Sequence, residues 1–333
     1  MLHTRCCTLR TLLLLGFSFV ALSFGTAGLL TPSVFAHGAT REKRGGQVER
    51  SMPADRRVIV SACTLSGGFT VRGWDRNEVR VRSDGADIEL IRIDQTKSEQ
   101  ATELKVTAKT GRSNTRSSCL MFGGLEMDVP RGAHVKLQTT SGDISLTDVA
   151  RATVVTTSGN IDLTKMREET TATVIGGDIA VRDSTGLFNL HATGGSIDAR
   201  HLVPLTASDT VSVSTVSGEV NLNQVTHQRV NVNAVSGEVT YSGELLRNGS
   251  YSFQNLSGEI RLSIPANSSF RLITNVGETV KINSDFNLNY PQNQNIIGPG
   301  NRREPRRVNA TVGTGESLIR VSLLTGSLRI SKQ

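Results

Sequence analysis

Carboxylate side chains recur at one kind of position in the middle of this sequence, directly after a glycine. These positions are Asp143, Asp178, Glu219, Glu238 and Glu259. If they stack, the carboxylates form a column that could act as general acid and base on a polysaccharide, or recruit Ca²⁺ where glutamates repel one another. In the simpler interpretation each side chain completes its own turn by accepting backbone hydrogen bonds. The sequence favours this structural role.

Other patterns of catalytic and metal-binding residues are missing from the sequence. The acidic positions do not follow the nine-residue glycine-aspartate repeat of calcium-binding rolls. There is no Gly-x-Ser-x-Gly nucleophile motif, no phosphate-binding loop and no Gly-x-Gly-x-x-Gly. The histidines of the central region lack paired metal-ligand spacing; they are His134, His191, His201 and His227. We therefore expect no catalytic residue, metal or cofactor.

The glycines that precede these acidic positions define an internal repeat. Successive corners are 17 to 23 residues apart, and apolar residues occupy every second position on both sides, as in Val135, Leu137, Ile144 and Leu146. A sharp bend between two strands requires a positive φ, which glycine adopts without steric cost. The predicted corner glycines are Gly142, Gly159, Gly177, Gly195, Gly218, Gly237 and Gly258.

The repeat predicts an all-β fold, a β-solenoid of about seven strand-turn-strand units of ~20 residues with β caps at both ends. Aromatic residues make up only 4% of the chain and glycine supplies 32 residues, which excludes a helical bundle. Each corner could alternatively be a hairpin turn between antiparallel strands. Regular recurrence favours stacked coils with parallel strands.

The N-terminus has the layout of a secretory signal peptide. Arginines without acidic residues occupy Met1 to Arg10, an apolar run extends from Leu12 to Leu30, and cleavage is expected after Ala36. An uncleaved membrane anchor is the alternative, because about 20 apolar residues can span a bilayer. Cys6 and Cys7 precede the apolar run, which argues against a lipoprotein.

The remainder of the chain is long enough for one large domain. A basic segment precedes its first strand, and Trp74 is expected to cover one end of the stack. The predicted organisation is a flexible linker at 37–56 and one domain at 57–333, divided into N-terminal cap strands at 57–130, repeats at 131–264 and a C-terminal cap at 265–333 with an exposed loop at 283–307.

Two cysteines, Cys63 and Cys119, follow the signal segment. In an oxidising compartment they could form a disulfide if their strands are neighbours. They could equally be two separately buried thiols, because sequence does not give the distance between them.

Basic residues concentrate in two places. The formal charge of +7 falls to +5 when Arg5 and Arg10 leave with the signal, and residues 41–57 hold six Lys or Arg. Such runs are commonly solvated loops, but they could bind an acidic polysaccharide or lipid surface electrostatically. Without interleaved aromatic residues they do not indicate nucleic acid. The candidate binding residues are Arg302, Arg303, Arg306 and Arg307.

Three features together resemble a known family. They are the series of Ser-Gly-acid corners, the segment Gly-Phe-Thr-Val-Arg-Gly-Trp-Asp at 68–75, and the terminal Gly-Thr-Gly-Glu-Ser-Leu-Ile-Arg-Val at 313–321 with Thr-Gly-Ser-Leu-Arg-Ile at 325–330. Over residues 57–332 the chain is similar to the bacterial "putative adhesin" domain family, whose β-solenoid-like domains are akin to the GIN-domain heads of autotransporter adhesins. The wider spacing around Pro204 departs from the pattern, and a bulged loop is expected to interrupt the stack there.

The resemblance implies a β-rich exported protein with an adhesive role and supplies no catalytic residues. We expect a non-enzymatic protein located in the periplasm, on the cell surface or outside the cell. Its partner would be an envelope glycan, another surface component or a partner protein. The alternatives are a self-associating envelope scaffold and a carbohydrate-active enzyme that uses the acidic column.

Overall fold

Alternation of apolar and polar residues gives this chain its strands, because side chains point to opposite sides at successive strand positions. The computed structural model describes residues 47–84, 87–94, 99–108, 119–289 and 306–333. Strands are the dominant element there, and no helix of the described part is long and apolar enough to cross a membrane. The predicted signal peptide at 1–36 lies outside the described residues.

The strands fall into three groups along the chain. The first group is β1 (Gln47–Ser66), β2 (Phe69–Trp74), β3 (Glu78–Asp84), β4 (Ile88–Arg92), β5 (Ala101–Ala108), β6 (Leu120–Phe122) and β7 (Leu125–Pro130). The second is β8 (His134–Ser141), β9 (Ile144–Thr147), β10 (Arg151–Ser158), β11 (Ile161–Thr164), β12 (Glu169–Gly176), β13 (Ile179–Thr185), β14 (Leu187–Gly194), β15 (Ile197–Val203), β16 (Thr210–Ser217) and β17 (Val220–Val225). The third is β18 (Arg229–Ser242), β19 (Ser250–Ile264), β20 (Phe270–Val276), β21 (Lys281–Ser284), β22 (Arg306–Val312) and β23 (Ser317–Lys332).

The strand that enters each corner and the strand that leaves it belong to two separate parallel ladders. In the long ladder β8, β10, β12, β14 and β16 pair in sequence, and in the short ladder β9, β11, β13, β15 and β17 do the same. The two strands of one corner do not pair with each other, so the corners are not hairpins. The predicted β-solenoid is confirmed.

The core lies between the two ladders. Alternate positions such as Val154 and Leu163 are fully buried, and they stack on Leu137 and Leu146 of the preceding coil. A rank of buried threonines lies near the corners, where the Thr64 hydroxyl donates to the Thr139 hydroxyl at 3.0 Å. Apolar side chains fill most of the inward positions, and the buried threonines lie among them.

The seven predicted corner glycines all have positive φ, between 126° and 146°. Gly177 shows why no other residue fits: a Cβ there would lie 2.2 Å from the carbonyl oxygen of Gly159 one coil below. The same column also contains Gly67, Gly123 and Gly326, from coils outside the predicted repeats. The corner glycines therefore allow both the bend and the close approach of successive coils.

The order of coils in space differs from their order in the sequence. Residues 59–66 of β1 pair in parallel with β8, and β2 pairs with both β7 and β9. The strands at 120–130 therefore lie outside the coil at 59–74, although they follow it in sequence. At the other end β23 pairs with β19 and with both β20 and β21. The segments 59–74, 120–130 and 270–284, which the sequence analysis assigned to caps, are thus coils of the stack, as is β23. The strands β3, β4 and β22 pair antiparallel instead.

The N-terminal strand begins inside the segment predicted as a linker. Gln47–Pro53 pairs antiparallel with β3, and Ala54 is fully buried. These contacts order residues 47–56 as part of the domain, despite their basic and polar composition. Residues 37–46 lie outside the described part of the chain.

Cys63 and Cys119 are joined by a disulfide, with their Cα atoms 4.5 Å apart. Cys63 is in β1, and Cys119 directly precedes β6, which pairs with β1. The bond therefore links two neighbouring strands that are 56 residues apart in the sequence.

The long insertion at Pro204 does not interrupt the stack. β14 pairs with β16 and β15 pairs with β17 across it, so the extra residues leave the coil as a loop. Within that loop Asp209 accepts hydrogen bonds from the backbone amides of Leu205 and Thr206, at 2.7 and 2.8 Å. The expected interruption is wrong, because the inserted residues satisfy their own backbone groups without displacing either ladder.

Candidate binding surface

Each ladder presents one outer face to solvent. We call the outward positions of the long ladder the long-sheet face, and those of the short ladder the short-sheet face. On the long-sheet face, residues in register on successive strands form ranks that run along the stack, with ~4.8 Å between strands. The composition of these ranks decides what each face can bind.

The two central ranks of the long-sheet face carry no charged residue across six consecutive coils, except for the titratable His191. The first rank is Thr153, Thr171, Asn189, Ser212, Asn231 and Ser252. The second rank is Val155, Thr173, His191, Ser214, Asn233 and Gln254. Hydroxyl and amide groups dominate both, so this part of the face offers hydrogen bonds rather than charge.

An aliphatic rank borders these polar ranks next to the corners. On four consecutive coils it consists of Val216, Val235, Leu256 and Leu324, which are 45 to 54% exposed. In the last coil the rank ends at Gly277, where a Cβ would lie 2.0 Å from the Leu324 carbonyl oxygen. Leu324 is therefore the last side chain of the aliphatic rank.

The C-terminal end of the long-sheet face is basic. Arg271 in β20, Arg307 in β22 and Arg320 in β23 occupy outward, exposed positions, and β20 pairs with both β22 and β23. Register places Arg320 opposite Ile273, and Arg307 opposite Asn275, so the arginines are spread diagonally over three ranks. Arg229 lies on the same face in β18, and from β14 to β22 no acidic residue occupies a described outward position on it. We call Arg229, Arg271, Arg307 and Arg320 the basic end.

The sequence-predicted basic residues are only partly included in this patch. Arg307 belongs to it, whereas Arg302 and Arg303 lie outside the described residues, as does the side chain of Arg306 in β22. The sequence analysis missed Arg229, Arg271 and Arg320. Strand alternation could have placed each of them outward, but only the pairing of strands far apart in sequence brings them to one surface.

The central coils of the short-sheet face, in contrast, pair their charges internally. Arg182 contacts Asp162 at 3.1 Å and Arg200 contacts Asp198 at 2.9 Å. The hydrogen bond with Asp198 raises the pKa of Arg200 above its ordinary value. At the N-terminal end Arg80 contacts Asp128 at 2.7 Å. Opposite charges on this face are therefore neighbours.

Four of the five side chains of the acidic corner column have structural partners, whereas the Glu219 carboxylate has no hydrogen bond or ion pair to the described residues. Asp143 accepts a hydrogen bond from the Asn160 amide, and Asp178 accepts one from the Ser196 amide, both at 2.7 Å. In the later coils Arg261 bridges Glu238 and Glu259. Within the described ranges, no group of three or more His, Cys, Asp or Glu residues is arranged to hold a metal ion. This arrangement holds adjacent coils together.

The four histidines occupy unrelated environments. His134 and His191 contact hydroxyls of Thr153 and Ser214, at 3.0 and 2.6 Å, and His201 lies 3.3 Å from Asp183. His227 is fully buried, with Nε2 2.7 Å from the Gly186 carbonyl oxygen. Burial lowers the pKa of His227, although that carbonyl opposes the shift. The structure does not bring these histidines together.

Trp74 lies at the end of β2, where its ring contacts two guanidinium groups. Arg76 and Arg80 are 5.0 and 4.8 Å from the ring centroid, and the indole N–H donates to the Glu78 carbonyl at 2.8 Å. These contacts connect β2 to β3. The ring is thereby fixed next to the N-terminal strands.

A shallow groove lies between the polar and aliphatic ranks at the C-terminal end. Its margins are Gln254, Ser322 and Asn275 on one side and Leu256, Leu324 and Gly277 on the other. Arg307 is paired with Asn275, and Arg320 is two residues before Ser322 in β23. The groove therefore borders the basic end.

A family model described as Toastrack DUF4097 matches the chain twice, at residues 40–202 and 94–298. The two overlapping matches together cover most of the sequence, including the corners and both ladders.

Solved structures also resemble the chain at low identity. A putative adhesin from Parabacteroides merdae is 10% identical, with a TM-score of 0.40, over 86% of this chain and 97% of that one. A putative adhesin from Bacteroides fragilis is 11% identical, with a TM-score of 0.37 and the same coverage. No curated protein sequence matches the chain.

Proposed function

This chain belongs to the Toastrack DUF4097 family, and we propose that it is an exported, non-enzymatic protein that binds an acidic polysaccharide of a cell envelope. The observation that carries the proposal is the basic end of the long-sheet face. Four arginines lie there on strands that place no acidic residue on the same face. A polymer of repeated negative charges is complementary to such a surface.

The geometry of the face supports binding of an extended polymer. Arg271, Arg307 and Arg320 are on separate strands and separate ranks, so they reach different points along a ligand. The guanidinium group binds carboxylates through paired hydrogen bonds, which a solvated ammonium group does less well. The uncharged polar ranks beside them offer further hydrogen bonds to sugar hydroxyls.

Four of the five carboxylates that would serve an enzyme have other partners, and Glu219 is the exception. Asp143 and Asp178 accept backbone amides of the next coil, and Glu238 and Glu259 share Arg261. Acid–base catalysis requires carboxyl groups that are available to the substrate. These contacts support a binding role over the alternative of a carbohydrate-active enzyme.

Export is supported by two features. The first 36 residues have the layout of a signal peptide. The disulfide between Cys63 and Cys119 is of the kind that persists in oxidising compartments. A location in the periplasm, on the cell surface or outside the cell fits both.

The test is binding of the full chain to polygalacturonate, with the carboxyl-reduced form of the same polymer as the neutral control. Replacing Arg271, Arg307 and Arg320 by Gln is expected to weaken binding about tenfold, since exposed charge contacts contribute about 0.5 kcal/mol each. Raising the salt concentration should weaken binding in the same direction. A second variant, with Arg302, Arg303 and Arg306 replaced by Gln, measures the contribution of the basic positions before and at the start of β22.

The matched control removes three arginines of the other face that already contact carboxylates, as R182Q/R200Q/R261Q. It changes the net charge equally and should leave binding nearly unchanged. Equal losses in both triple variants, or salt-independent binding, would contradict the proposal. Absence of binding together with a concentration-dependent oligomer would favour a self-associating scaffold.

A further inference from the structure

The groove at the C-terminal end of the long-sheet face differs from the rest of that face. The aliphatic rank and the polar rank run side by side from Val216 to Leu324. A second groove on this face lies at the N-terminal end, among Lys136, Gln138, Thr153 and Val155. At the C-terminal groove the aliphatic rank stops at Gly277, whose backbone approaches Leu324 closely, so Leu256 and Leu324 form the apolar wall. The opposite margin is Gln254, Ser322 and Asn275 on three successive strands.

Three kinds of side chain surround this groove. Leu256 and Leu324 are about half exposed, at 50 and 54%, and supply an apolar wall. Gln254 and Asn275 supply amide donors and acceptors. Arg307 is paired with Asn275, and Arg320, whose Nη1 also lies 3.3 Å from the Ser250 hydroxyl, is in the adjacent rank. The two margins are two residues apart along each strand, or about 7 Å.

A ligand that contacts the apolar wall, the amide side chains and an arginine together must have an apolar surface, hydroxyl groups and one negative charge. A pyranose ring that carries a carboxylate has these properties: its C–H groups form an apolar side, its hydroxyls lie at the edge, and its carboxylate accepts paired hydrogen bonds from a guanidinium. A neutral sugar would leave the arginines unused. A simple polyanion would leave the leucines exposed to water.

We propose that this groove is a subsite for a single uronic acid residue of the bound polysaccharide. The inference rests on the proposed function and adds to it the class of sugar that is recognised. The carboxylate contacts Arg307 or Arg320, the hydroxyls contact Gln254 and Asn275, and the C–H side of the ring packs on Leu256 and Leu324.

The experiment measures binding of a short oligogalacturonate to the full chain at high salt, where long-range charge attraction is screened. The variant L256N/L324N keeps every charge and is expected to weaken oligogalacturonate binding about tenfold, because it removes the apolar contact. The matched control is I175N/V216N, which alters the same rank outside the groove, at positions that are 53 and 45% exposed. It should bind like the unmodified protein.

The possible outcomes separate the two proposals. If polygalacturonate does not bind at all, the proposed function is wrong and the subsite is wrong with it. If polygalacturonate binds, but L256N/L324N binds the oligosaccharide normally or dextran sulfate competes as well as oligogalacturonate, only the subsite is wrong. Preferential binding to vesicles of anionic phospholipid over both polysaccharides would identify a membrane surface instead and would also overturn the subsite.

Discussion

The two outer faces of this solenoid are built from the same coils, but their charged side chains are arranged differently. On the short-sheet face Arg182 and Arg200 lie beside Asp162 and Asp198. On the long-sheet face the central ranks are uncharged, and the arginines gather at one end without an acidic neighbour on that face. In the central coils the short-sheet face therefore pairs its charges, whereas the basic end of the long-sheet face does not.

This difference between the two faces indicates where an acidic ligand gains the most electrostatic attraction on binding. An arginine that already contacts a carboxylate must lose that contact before it binds another, so little net attraction remains. An arginine without such a neighbour attracts an acidic ligand from solution at no such cost. The contrast between the faces, rather than the total charge of +7, is thus the argument for a binding surface.

The largest effect is expected from a change that disrupts both faces together. In G177A a Cβ would meet the Gly159 carbonyl oxygen at 2.2 Å on a backbone with φ of 138°, and we expect a loss of about 3 kcal/mol or more in the free energy of unfolding. In the neighbouring control G176A the nearest atom is 3.8 Å from the new Cβ. Chemical denaturation of both variants measures the difference, and equal stability of the two would refute the role assigned to the corner column.

A smaller effect is expected from removing the disulfide, which lies at the N-terminal end of the long ladder. The variant C63A/C119A should lose about 2 to 4 kcal/mol, because the unfolded chain gains the freedom of a 56-residue separation. Thermal unfolding with and without reductant provides the measurement and its control. The variant should be insensitive to reductant, whereas the unmodified protein should be destabilised; the prediction fails if reductant leaves the melting temperature of the unmodified protein unchanged.

The smallest effect on stability is expected from removing two carboxylates of the short-sheet face. This change tests the contrast between the two faces directly. D162N/D198N removes the partners of Arg182 and Arg200, and stability should change by less than about 1 kcal/mol because all these pairs are at the surface. The short-sheet face then resembles the basic end, and binding to polygalacturonate should increase about threefold. D84N/E89Q raises the net charge equally at exposed positions elsewhere. An equal gain in both variants would show that total charge, not its arrangement, governs binding.

Parts of this structure could be read from the sequence because they depend on local rules. The alternation around Ile144 and Leu146 and the recurrence of Ser-Gly-acid predicted strands, corners and stacked coils. Each coil has a second corner, on the way from the short ladder to the next strand of the long ladder, and the sequence analysis missed it. This corner uses Asp148, Lys165 and Asp183 with positive φ rather than a recurring glycine. Non-glycine residues in that conformation leave no consistent residue type to recognise.

The candidate site was predicted only in part. Arg307 was identified because it lies in a run of basic residues, which is visible in one short segment. Arg271 and Arg320 are isolated in the sequence, and they join Arg307 only because β23 pairs with β20, and β20 with β22. No local pattern specifies which strand inserts beside which.

The sequence by itself determined the class of fold, the corner glycines and the faces on which side chains lie, because period-two alternation and positive φ are properties of a few adjacent residues. Only the tertiary structure decided the order of the coils, the disulfide between Cys63 and Cys119, and the assembly of the basic end and its groove. These features depend on pairing between strands that are distant in the chain. That pairing is selected by burial of the whole stack rather than by any single segment.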